Sequence, residues 1–331
     1  MKAIMYREFG SPDVLQVEEV AQPVPGDGEV LIAVRAAAVN MFDWYMVRGK
    51  PRVVRLILGG QPKPLGVDLA GVVEAVGRDV KRFTPGDHVF GTGRSKSVRP
   101  RTGSFAEYVC VGEDLVTAKP GNATFEEAAS VPMAGLTALQ GLRNHAAVKA
   151  GQRVLINGAS GGIGTFAVQI AKVFGAEVTG VCSASNVDMV RRIGADHVID
   201  YSRQSFTDGA LRYDVIIDIV GNKSWAECRR MLTPRGKYIA VGGPPARALP
   251  LLLREPFTRG KLTTFVARAN RDDLDVFREL IESGRVTPVI DRSYPLEETA
   301  EAVRYVAAGH TRGKVVLTIG EPSRVTVRAS A

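Results

Sequence analysis

A glycine-rich turn is the feature that most constrains the fold of this 331-residue chain. The turn has the sequence NGASGGIG at residues 157–164 and follows a short apolar run at 153–156, which suits a buried parallel strand. Apolar residues then recur at helical spacing: Ile163, Phe166, Ala167, Ile170, Ala171 and Phe174. In a strand–turn–helix unit, glycines let the backbone approach a diphosphate closely, and the helix N-terminus stabilises its charge. The turn therefore predicts a dinucleotide-binding unit.

The spacing of the glycines fits two known patterns. Ala159 stands at a glycine position of the strict GxGxxG pattern, and the same residues also fit the GxxxGxG pattern of short-chain dehydrogenases. Short-chain enzymes need a lysine four residues after a tyrosine, and none of the eight tyrosines here has one. We therefore favour a Rossmann-type turn, whose predicted cofactor contacts are Ala159, Ser160, Gly161, Gly162, Ile163 and Gly164.

Strand-like and helix-like segments alternate after this turn. Apolar runs at 177–182, 198–199, 215–217 and 238–241 are separated by segments of helical or loop character. This alternation predicts an α/β fold with a doubly wound parallel sheet over residues 123–265. Residues 1–122 are rich in short strand-like runs and turn signals, and residues 266–331 return to a mixed pattern.

The end of the second strand of this unit predicts which nucleotide is bound. NAD-specific sites place an acidic residue there for the ribose 2′-hydroxyl, whereas this chain has Ser183, Ser185 and Asn186. A carboxylate about 4 Å from a phosphate would repel each charge by about 4 kcal/mol at an effective dielectric constant of 20. The polar residues therefore favour NADPH, with a simple helix cap as the alternative role of the serines.

Composition and charge exclude several classes of protein. The chain has 24% charged residues and a formal net charge of +8, but no basic stripe interleaved with aromatics that would indicate a nucleic-acid site. Its densest basic run, at 94–101, is typical of a solvated loop, with an anion contact as the alternative. No apolar run approaches the roughly 18 residues of a membrane span, and no signal peptide precedes the first strand-like run. Three widely spaced cysteines imply no disulfide framework, so a cytoplasmic location is expected.

Sequence landmarks along nearly the whole chain resemble those of one family. They lie at 39–45, 66–73, 86–89, 103–108, 134–139, 159–164, 194–196 and 313–316. In this order they resemble the zinc-free quinone oxidoreductases of the medium-chain dehydrogenase/reductase superfamily. The resemblance implies a GroES-like β-barrel catalytic domain built from residues 1–122 and 266–331, and a Rossmann coenzyme domain at 123–265. It also implies NADPH-dependent reduction of quinones, or of activated C=C bonds in enals and enones, in the cleft between them.

The resemblance also assigns expected roles to individual residues. Tyr45 resembles the active-site tyrosine, either as a hydrogen-bond or proton donor or only as a lining residue. The further expected cofactor contacts are Asn40 and Thr137 near the nicotinamide, Tyr201 beside the 2′-phosphate or adenosine, Val220 and Gly242 along the ribose, Phe265 and Val266 at the nicotinamide amide, and Lys314 on a phosphate.

The residues at the positions of zinc ligands argue against a metal site. Zinc dehydrogenases have Gly-His-Glu where this chain has Gly66-Val67-Asp68, and no four-cysteine cluster occupies residues 90–112, so no zinc is expected. The alternatives are a 2-enoyl thioester (enoyl-CoA) reductase and a non-catalytic NADPH-binding protein. The expected partner is a small-molecule quinone or enone, without nucleic acid or membrane. A homodimer is plausible by resemblance, through the last strand of the coenzyme sheet.

Overall fold

The fold is known from a computed structural model that describes residues 1–49, 63–93, 103–242 and 245–320. The basic segment 94–101 lies outside the described residues. The strands are β1 (Lys2–Tyr6), β2 (Gln16–Glu19), β3 (Glu29–Val39), β4 (Lys63–Pro64), β5 (Asp68–Val76), β6 (His88–Thr92), β7 (Tyr108–Gly112), β8 (Val116–Ala118), β9 (Arg153–Asn157), β10 (Glu177–Cys182), β11 (His197–Asp200), β12 (Tyr213–Asp218), β13 (Leu232–Ala240), β14 (Leu262–Thr264), β15 (Ile290–Pro295) and β16 (Lys314–Thr318).

The α-helices connect these strands or cover the sheets. They are α1 (Met41–Arg48), α2 (Phe125–Ala129), α3 (Pro132–Gln140), α4 (Gly162–Val173), α5 (Val187–Arg192), α6 (Trp225–Arg230), α7 (Pro245–Arg254), α8 (Arg271–Glu282) and α9 (Thr299–Ala307). A π-helical turn, Gly141–Ala146, continues directly from α3. Thr124 caps α2, since its side chain accepts a hydrogen bond from the Glu127 N–H.

The middle of the chain forms a six-stranded parallel sheet. Its strand order is β11-β10-β9-β12-β13-β14, so the order reverses between β9 and β12. Alternate residues of β9 point to opposite faces, and Val154 and Ile156 belong to one buried cluster while Leu155 belongs to another. Because both faces are covered, the centre of β9 is continuously apolar, as parallel strands usually are. The predicted doubly wound α/β fold is confirmed.

Both ends of the chain contribute to a second, mainly antiparallel sheet. Its path is β15-β16-β3-β5-β6-β8, with β7 also paired to β3. The C-terminal strand β16 pairs antiparallel with β3, so that Val315 lies opposite Val39. A three-stranded sheet of order β2-β1-β4 lies apart from this path. The strand pairing thus unites the two ends of the chain, while the domain boundaries at 122/123 and 265/266 stay a prediction.

Two helices begin directly after the segments that form the candidate site. Helix α1 follows β3 directly and begins after Asn40. Helix α4 follows β9 and the glycine-rich turn, and its eight consecutive residues 164–171 are buried on all sides. Among the described residues, no helix is long and apolar enough to cross a membrane. Among the described residues, Cys110, Cys182 and Cys228 form no disulfide.

Candidate functional site

The glycine loop, residues 157–164, turns from the end of β9 into α4. Gly158 adopts a φ of 95°, which strongly favours glycine, and a Cβ there would lie 2.8 Å from Val220 Cγ2. A Cβ at Gly164 would lie 2.0 Å from the Gly158 carbonyl oxygen. The protein's own packing therefore requires glycine at both positions.

Gly161 has no such internal requirement. Its φ is −83°, and a Cβ there would meet one described atom, the Gly158 oxygen, at an ordinary 3.6 Å. The residue precedes the first turn of α4, where the N–H groups of residues 162–164 have no carbonyl partner within the helix. A backbone surface with outward N–H groups and no side chain in front of it fits a diphosphate. The glycine loop thus suits the predicted dinucleotide.

The residues expected at the nucleotide's 2′-position lie together after β10. The Ser183 and Ser185 hydroxyls lie 3.2 Å apart, and the Asn186 Nδ2 donates to Ser160 Oγ at 3.2 Å. Asn186 Oδ1 is buried and has no hydrogen-bond partner among the described residues. Ser183 precedes a short 3-10 turn but makes no capping hydrogen bond with its side chain, so the alternative role as a cap is not supported for Ser183.

Tyr201 lies beside the same segment. Its N–H donates to the Cys182 carbonyl at 3.0 Å, and 54% of the residue is exposed. Sequence spacing overlooked Asp200, because this carboxylate comes from the third strand, yet β-pairing sets it opposite Cys182. Hydrogen bonds from the Ser202 N–H and hydroxyl hold the pKa of Asp200 below its usual range. Asp200 is therefore an anionic neighbour of this subsite, and the expectation that no carboxylate lies there is wrong.

A buried polar network fixes the ends of β9 and β12. Asn157 Nδ2 donates to Asp218 Oδ1 at 2.8 Å, and the Tyr238 hydroxyl donates to Asp218 Oδ2 at 2.5 Å. The Gly221 N–H also donates to Asp218. The carboxylate thereby holds the loop that follows β12, which includes the expected ribose contact Val220. Gly242 approaches the same loop so closely that a Cβ there would lie 2.3 Å from the Ile219 oxygen.

The segment after β14 is held from α3 and the π-helical turn. The Phe265 ring lies 4.2 Å from the His145 ring, centroid to centroid. Gln140 on α3 binds the Arg268 backbone twice, donating to its carbonyl at 2.8 Å and accepting from its N–H at 3.0 Å. Val266 between them is 80% exposed. The expected nicotinamide-amide segment is therefore fixed in place with Val266 uncovered.

Helix α1 begins at a buried, fully engaged asparagine. The Asn40 N–H donates to Asp43 Oδ2 at 2.8 Å, which caps the helix. The Asn40 side chain donates to the Ala38 carbonyl and, at 3.1 Å, to Asp68 Oδ2. Its Oδ1 accepts a hydrogen bond from Lys314 Nζ at 2.5 Å. The side chain of Asn40 is thus held by groups of this chain, and its contact with the nicotinamide stays a prediction.

Asp68 connects three elements around this asparagine. At the start of β5 it is fully buried, accepts the Met133 N–H at 3.0 Å and lies 3.9 Å from Lys314 Nζ. Met133 is in the first turn of α3, where a carboxylate is favourable. The carboxylate and the ammonium group therefore join α3, α1 and β16 in one buried cluster.

Burial shifts the ionisation of every charged group in this cluster. Desolvation raises the pKa of Asp43 to about 7 and that of Asp68 to about 6, although Lys314 and hydrogen bonds oppose the shift. Desolvation also lowers the pKa of Lys314, against the attraction of both carboxylates. Two carboxyl groups thus share one ammonium group in a dry environment.

Tyr45 and Thr137 lie on the two helices that this cluster joins. Tyr45 on α1 is half-buried, and desolvation raises the pKa of its hydroxyl, so the proton stays on the oxygen. The Thr137 hydroxyl on α3 donates to the Met133 carbonyl at 2.7 Å, which leaves its oxygen able to accept.

The glycine loop contacts β16 directly. The Gly313 N–H donates to the Ser160 carbonyl at 2.8 Å, and Gly161 and Gly313 form a parallel bridge. Gly313 immediately precedes Lys314, whose Nζ reaches Asn40 at the start of α1. The sequence-predicted diphosphate loop and the tyrosine helix are therefore connected through two adjacent residues.

Sequence reasoning missed Asp43, Asp68 and Asp218. Each is a carboxyl group that is at most 1% exposed and lies within or beside an apolar segment. A charged residue in a run such as DLAGVV, residues 68–73, is itself a signal, since a buried charge needs partners. Among the described residues, no group of three or more His, Cys, Asp and Glu side chains is arranged to hold a metal ion.

Comparisons with known proteins agree with this architecture. Residues 26–121 match the alcohol dehydrogenase GroES-like domain, and residues 193–317 match the zinc-binding dehydrogenase family. An NADPH-dependent alkenal/one oxidoreductase of Arabidopsis thaliana is 35% identical, with 96% of this chain and 79% of that protein covered. A quinone oxidoreductase of Sus scrofa is 34% identical, with 95% of each chain covered.

A solved structure shares the fold along almost the whole chain. The quinone oxidoreductase from Coxiella burnetii superposes with a TM-score of 0.88 and 31% identity, over 97% of this chain and 99% of that one. Identity above 30% over nearly full length, together with the parallel sheet and the second sheet built from both chain ends, establishes the family. This chain belongs to the medium-chain dehydrogenase/reductase superfamily, as a quinone oxidoreductase-like member.

Proposed function

We propose that this protein is an NADPH-dependent oxidoreductase that reduces quinones, or the activated C=C bonds of enals and enones, by hydride transfer without zinc. One observation carries the proposal: the glycine loop is hydrogen-bonded to Gly313, and the next residue, Lys314, reaches the start of the tyrosine helix α1. A dinucleotide bound to the loop and a substrate bound at α1 would share one cleft. The similar oxidoreductases of alkenals and quinones support this substrate class.

The proposed cofactor contacts follow the carboxyl ends of the parallel strands, where ligands of such sheets bind. The diphosphate would bind residues 159–164, and the 2′-phosphate would bind the Ser183, Ser185 and Asn186 group beside Tyr201. The ribose and nicotinamide would be lined by the residues that follow β12, β13 and β14, namely Val220, Gly242, Phe265 and Val266. Thr137 and Asn40 would contact the other side of the nicotinamide. When bound, the reduced nicotinamide supplies the hydride.

Tyr45 is proposed as the group that donates a hydrogen bond or proton to the substrate oxygen or carbanion. Reduction of an enone or quinone builds negative charge, which a positioned donor stabilises. The Tyr45 hydroxyl keeps its proton because burial raises its pKa. It is carried on a helix whose start is fixed by Asp43, Asp68 and Lys314, so its position is set by buried contacts.

The residues of the cluster do not fit a zinc ion, although one matched family is named for zinc binding. Asp68 already has a buried ammonium group 3.9 Å away. A divalent cation about 4 Å from that ammonium would be repelled by about 8 kcal/mol at an effective dielectric constant of 20. The flanking residue, Val67, has no ligand atom. We therefore propose that the reaction proceeds without a metal.

The test is NADPH oxidation with purified protein against 1,4-quinones, 2-alkenals, an enoyl-CoA, and simple alcohols with NADP⁺, with and without a chelator. We expect turnover of quinones or alkenals that is unchanged by the chelator. Preference for enoyl-CoA would favour the enoyl thioester alternative, and NADPH binding without turnover of any acceptor would favour a binding protein. Loss of activity with the chelator would contradict the zinc-free mechanism.

The cellular setting of the protein is part of the same proposal. A cytoplasmic location remains a prediction, since one similar protein is described as chloroplastic. Homodimerisation through β14, the edge strand of the coenzyme sheet, is likewise a prediction, and the small-molecule substrate is the expected partner.

A further inference from the structure

Lys314 contacts both halves of the proposed site, although it is buried with only 3% of its surface exposed. Its stem lies against the glycine loop, because a Cβ at Gly162 would be only 2.9 Å from Lys314 Cδ. Its ammonium nitrogen lies 2.5 Å from Asn40 Oδ1 and 3.9 Å from Asp68 Oδ2. One side chain thus spans from the diphosphate loop to the start of α1.

The ammonium group gives the Asn40 side chain one orientation. The Asn40 amide nitrogen donates to Asp68, and its oxygen accepts from Lys314. A flipped amide would set its nitrogen against the ammonium and its oxygen against the carboxylate, and both contacts would be repulsive. Without the ammonium, the oxygen end of Asn40 loses its donor and α1 loses this tie to β16.

We propose that Lys314 is a positioning residue that sets helix α1, and with it Tyr45, relative to the glycine loop, acting through Asn40 and Asp68. The inference rests on the proposed function for the roles of the loop and Tyr45. It replaces the expected contact of Lys314 with a cofactor phosphate, since the ammonium is directed to Asn40 and is enclosed by protein. A methionine at this position would keep the stem against Gly162 and remove only the ammonium.

A second substitution, Asp43→Asn, separates the positioning of α1 from the neutralisation of buried charge. The ionisable groups facing Lys314 are Asp68 and Asp43, and Asp43 in turn faces Tyr6. Lys314→Met leaves two buried carboxyl groups without a cation, which lowers stability. Adding Asp43→Asn removes one carboxylate, and the new amide oxygen can still accept the Asn40 N–H. The double variant therefore restores the formal net charge of the cluster without restoring the bond from Lys314 to Asn40.

The experiment compares Lys314→Met, Lys314→Met/Asp43→Asn and a control, Lys119→Met. Lys119 is half-buried, and its ammonium group donates to two carbonyls, of Pro120 and Ala123, and not to Asn40. All variants carry Trp225→Phe, so that Trp44, next to Tyr45 on α1, is the sole tryptophan of a chain that has two. The measurements are Tm, acrylamide quenching of Trp44 without cofactor, the NADPH Kd, and kcat.

We expect Lys314→Met to increase Trp44 quenching and lower kcat by about tenfold or more, as small misplacements of reacting groups do. Its NADPH Kd should stay within about threefold of the parent, a change of less than 1 kcal/mol. The double variant should regain Tm but neither the Trp44 quenching nor the kcat of the parent. The Lys119→Met control should match the parent in quenching, Kd and kcat.

Two results would overturn the inference. A raised NADPH Kd with unchanged Trp44 quenching would put the ammonium on a phosphate. If the double variant recovered the Tm, the Trp44 quenching and the kcat of the parent together, the role of Lys314 would be to neutralise buried charge and not to position α1. If the parent protein reduces no acceptor, the proposed function fails, whereas the Trp44 measurement still decides whether Lys314 positions α1.

Discussion

At the scale of single residues, the proposed reaction depends on Tyr45 as the hydrogen-bond or proton donor. Its hydroxyl is half-buried, and desolvation raises its pKa, so the protonated form persists at neutral and mildly alkaline pH. Lys314, Asn40 and Asp68 act on the same helix from its first turn but are buried away from solvent. Tyr45 is thus the half-buried donor, and the buried residues fix the helix that carries it.

Removing the hydroxyl tests this role. Tyr45→Phe should lower kcat/KM on the best quinone or alkenal by about 100-fold, within the range for a lost proton or hydrogen-bond donor. The NADPH Kd should not change, because the proposed cofactor contacts remain. Since the raised pKa keeps the wild-type hydroxyl protonated, its activity should show no alkaline loss from Tyr45 below a pH of about 10. Steady-state kinetics across pH measure both effects.

Tyr294→Phe on β15 provides the matched control, since it also removes one phenolic hydroxyl. If Tyr45→Phe retains the full kcat/KM of the wild type, Tyr45 only lines the pocket and solvent protonates the product.

At the scale of the element, the glycine loop contains glycines that are required for different reasons. Gly158 and Gly164 are required by backbone conformation and by contact with neighbouring atoms of the chain. Gly161 has an ordinary φ and room for a Cβ, so the reason for glycine there lies in the ligand. Alanine substitutions should therefore separate stability from binding.

Gly161→Ala should leave Tm unchanged and raise the NADPH Kd by about tenfold or more, which corresponds to 1.4 kcal/mol or more. Gly164→Ala should instead destabilise the protein by roughly 1–3 kcal/mol, the usual cost of overpacking, because its Cβ would overlap the Gly158 oxygen. Thermal melts and NADPH titrations distinguish the two. Equal loss of stability in both variants would show that Gly161 is a structural glycine.

Sequence periodicity predicted the elements of the coenzyme sheet well and those around α1 poorly. The runs at 153–157 and 177–182 are mainly apolar between their ends and form β9 and β10 with those bounds, because both faces of the sheet are covered. Helix α1 was not predicted, since its eight residues are too few to show a helical period and its cap depends on Asp43. Local spacing also could not reveal Asp200 and Asp68, whose partners are set by strand pairing and by residues far along the chain.

At the scale of the whole molecule, the last described strand, β16, connects the antiparallel sheet to the parallel sheet. Strand β16 pairs with β3 of the mainly antiparallel sheet, and the residue before it bonds to the glycine loop of the parallel sheet. Its first residue completes the buried cluster at α1. This strand pairing explains how Asn40 and Lys314, which are more than 270 residues apart in the sequence, meet at the proposed active site.

The central claim is that the glycine loop holds NADPH with its nicotinamide beside α1, and a crystal structure of the protein soaked with NADPH tests it most directly. We predict the diphosphate on the N–H groups at the start of α4 and the nicotinamide facing Tyr45, with Lys314 still bonded to Asn40. Empty N–H groups at the loop, or a zinc ion held at Asp68, would contradict the account.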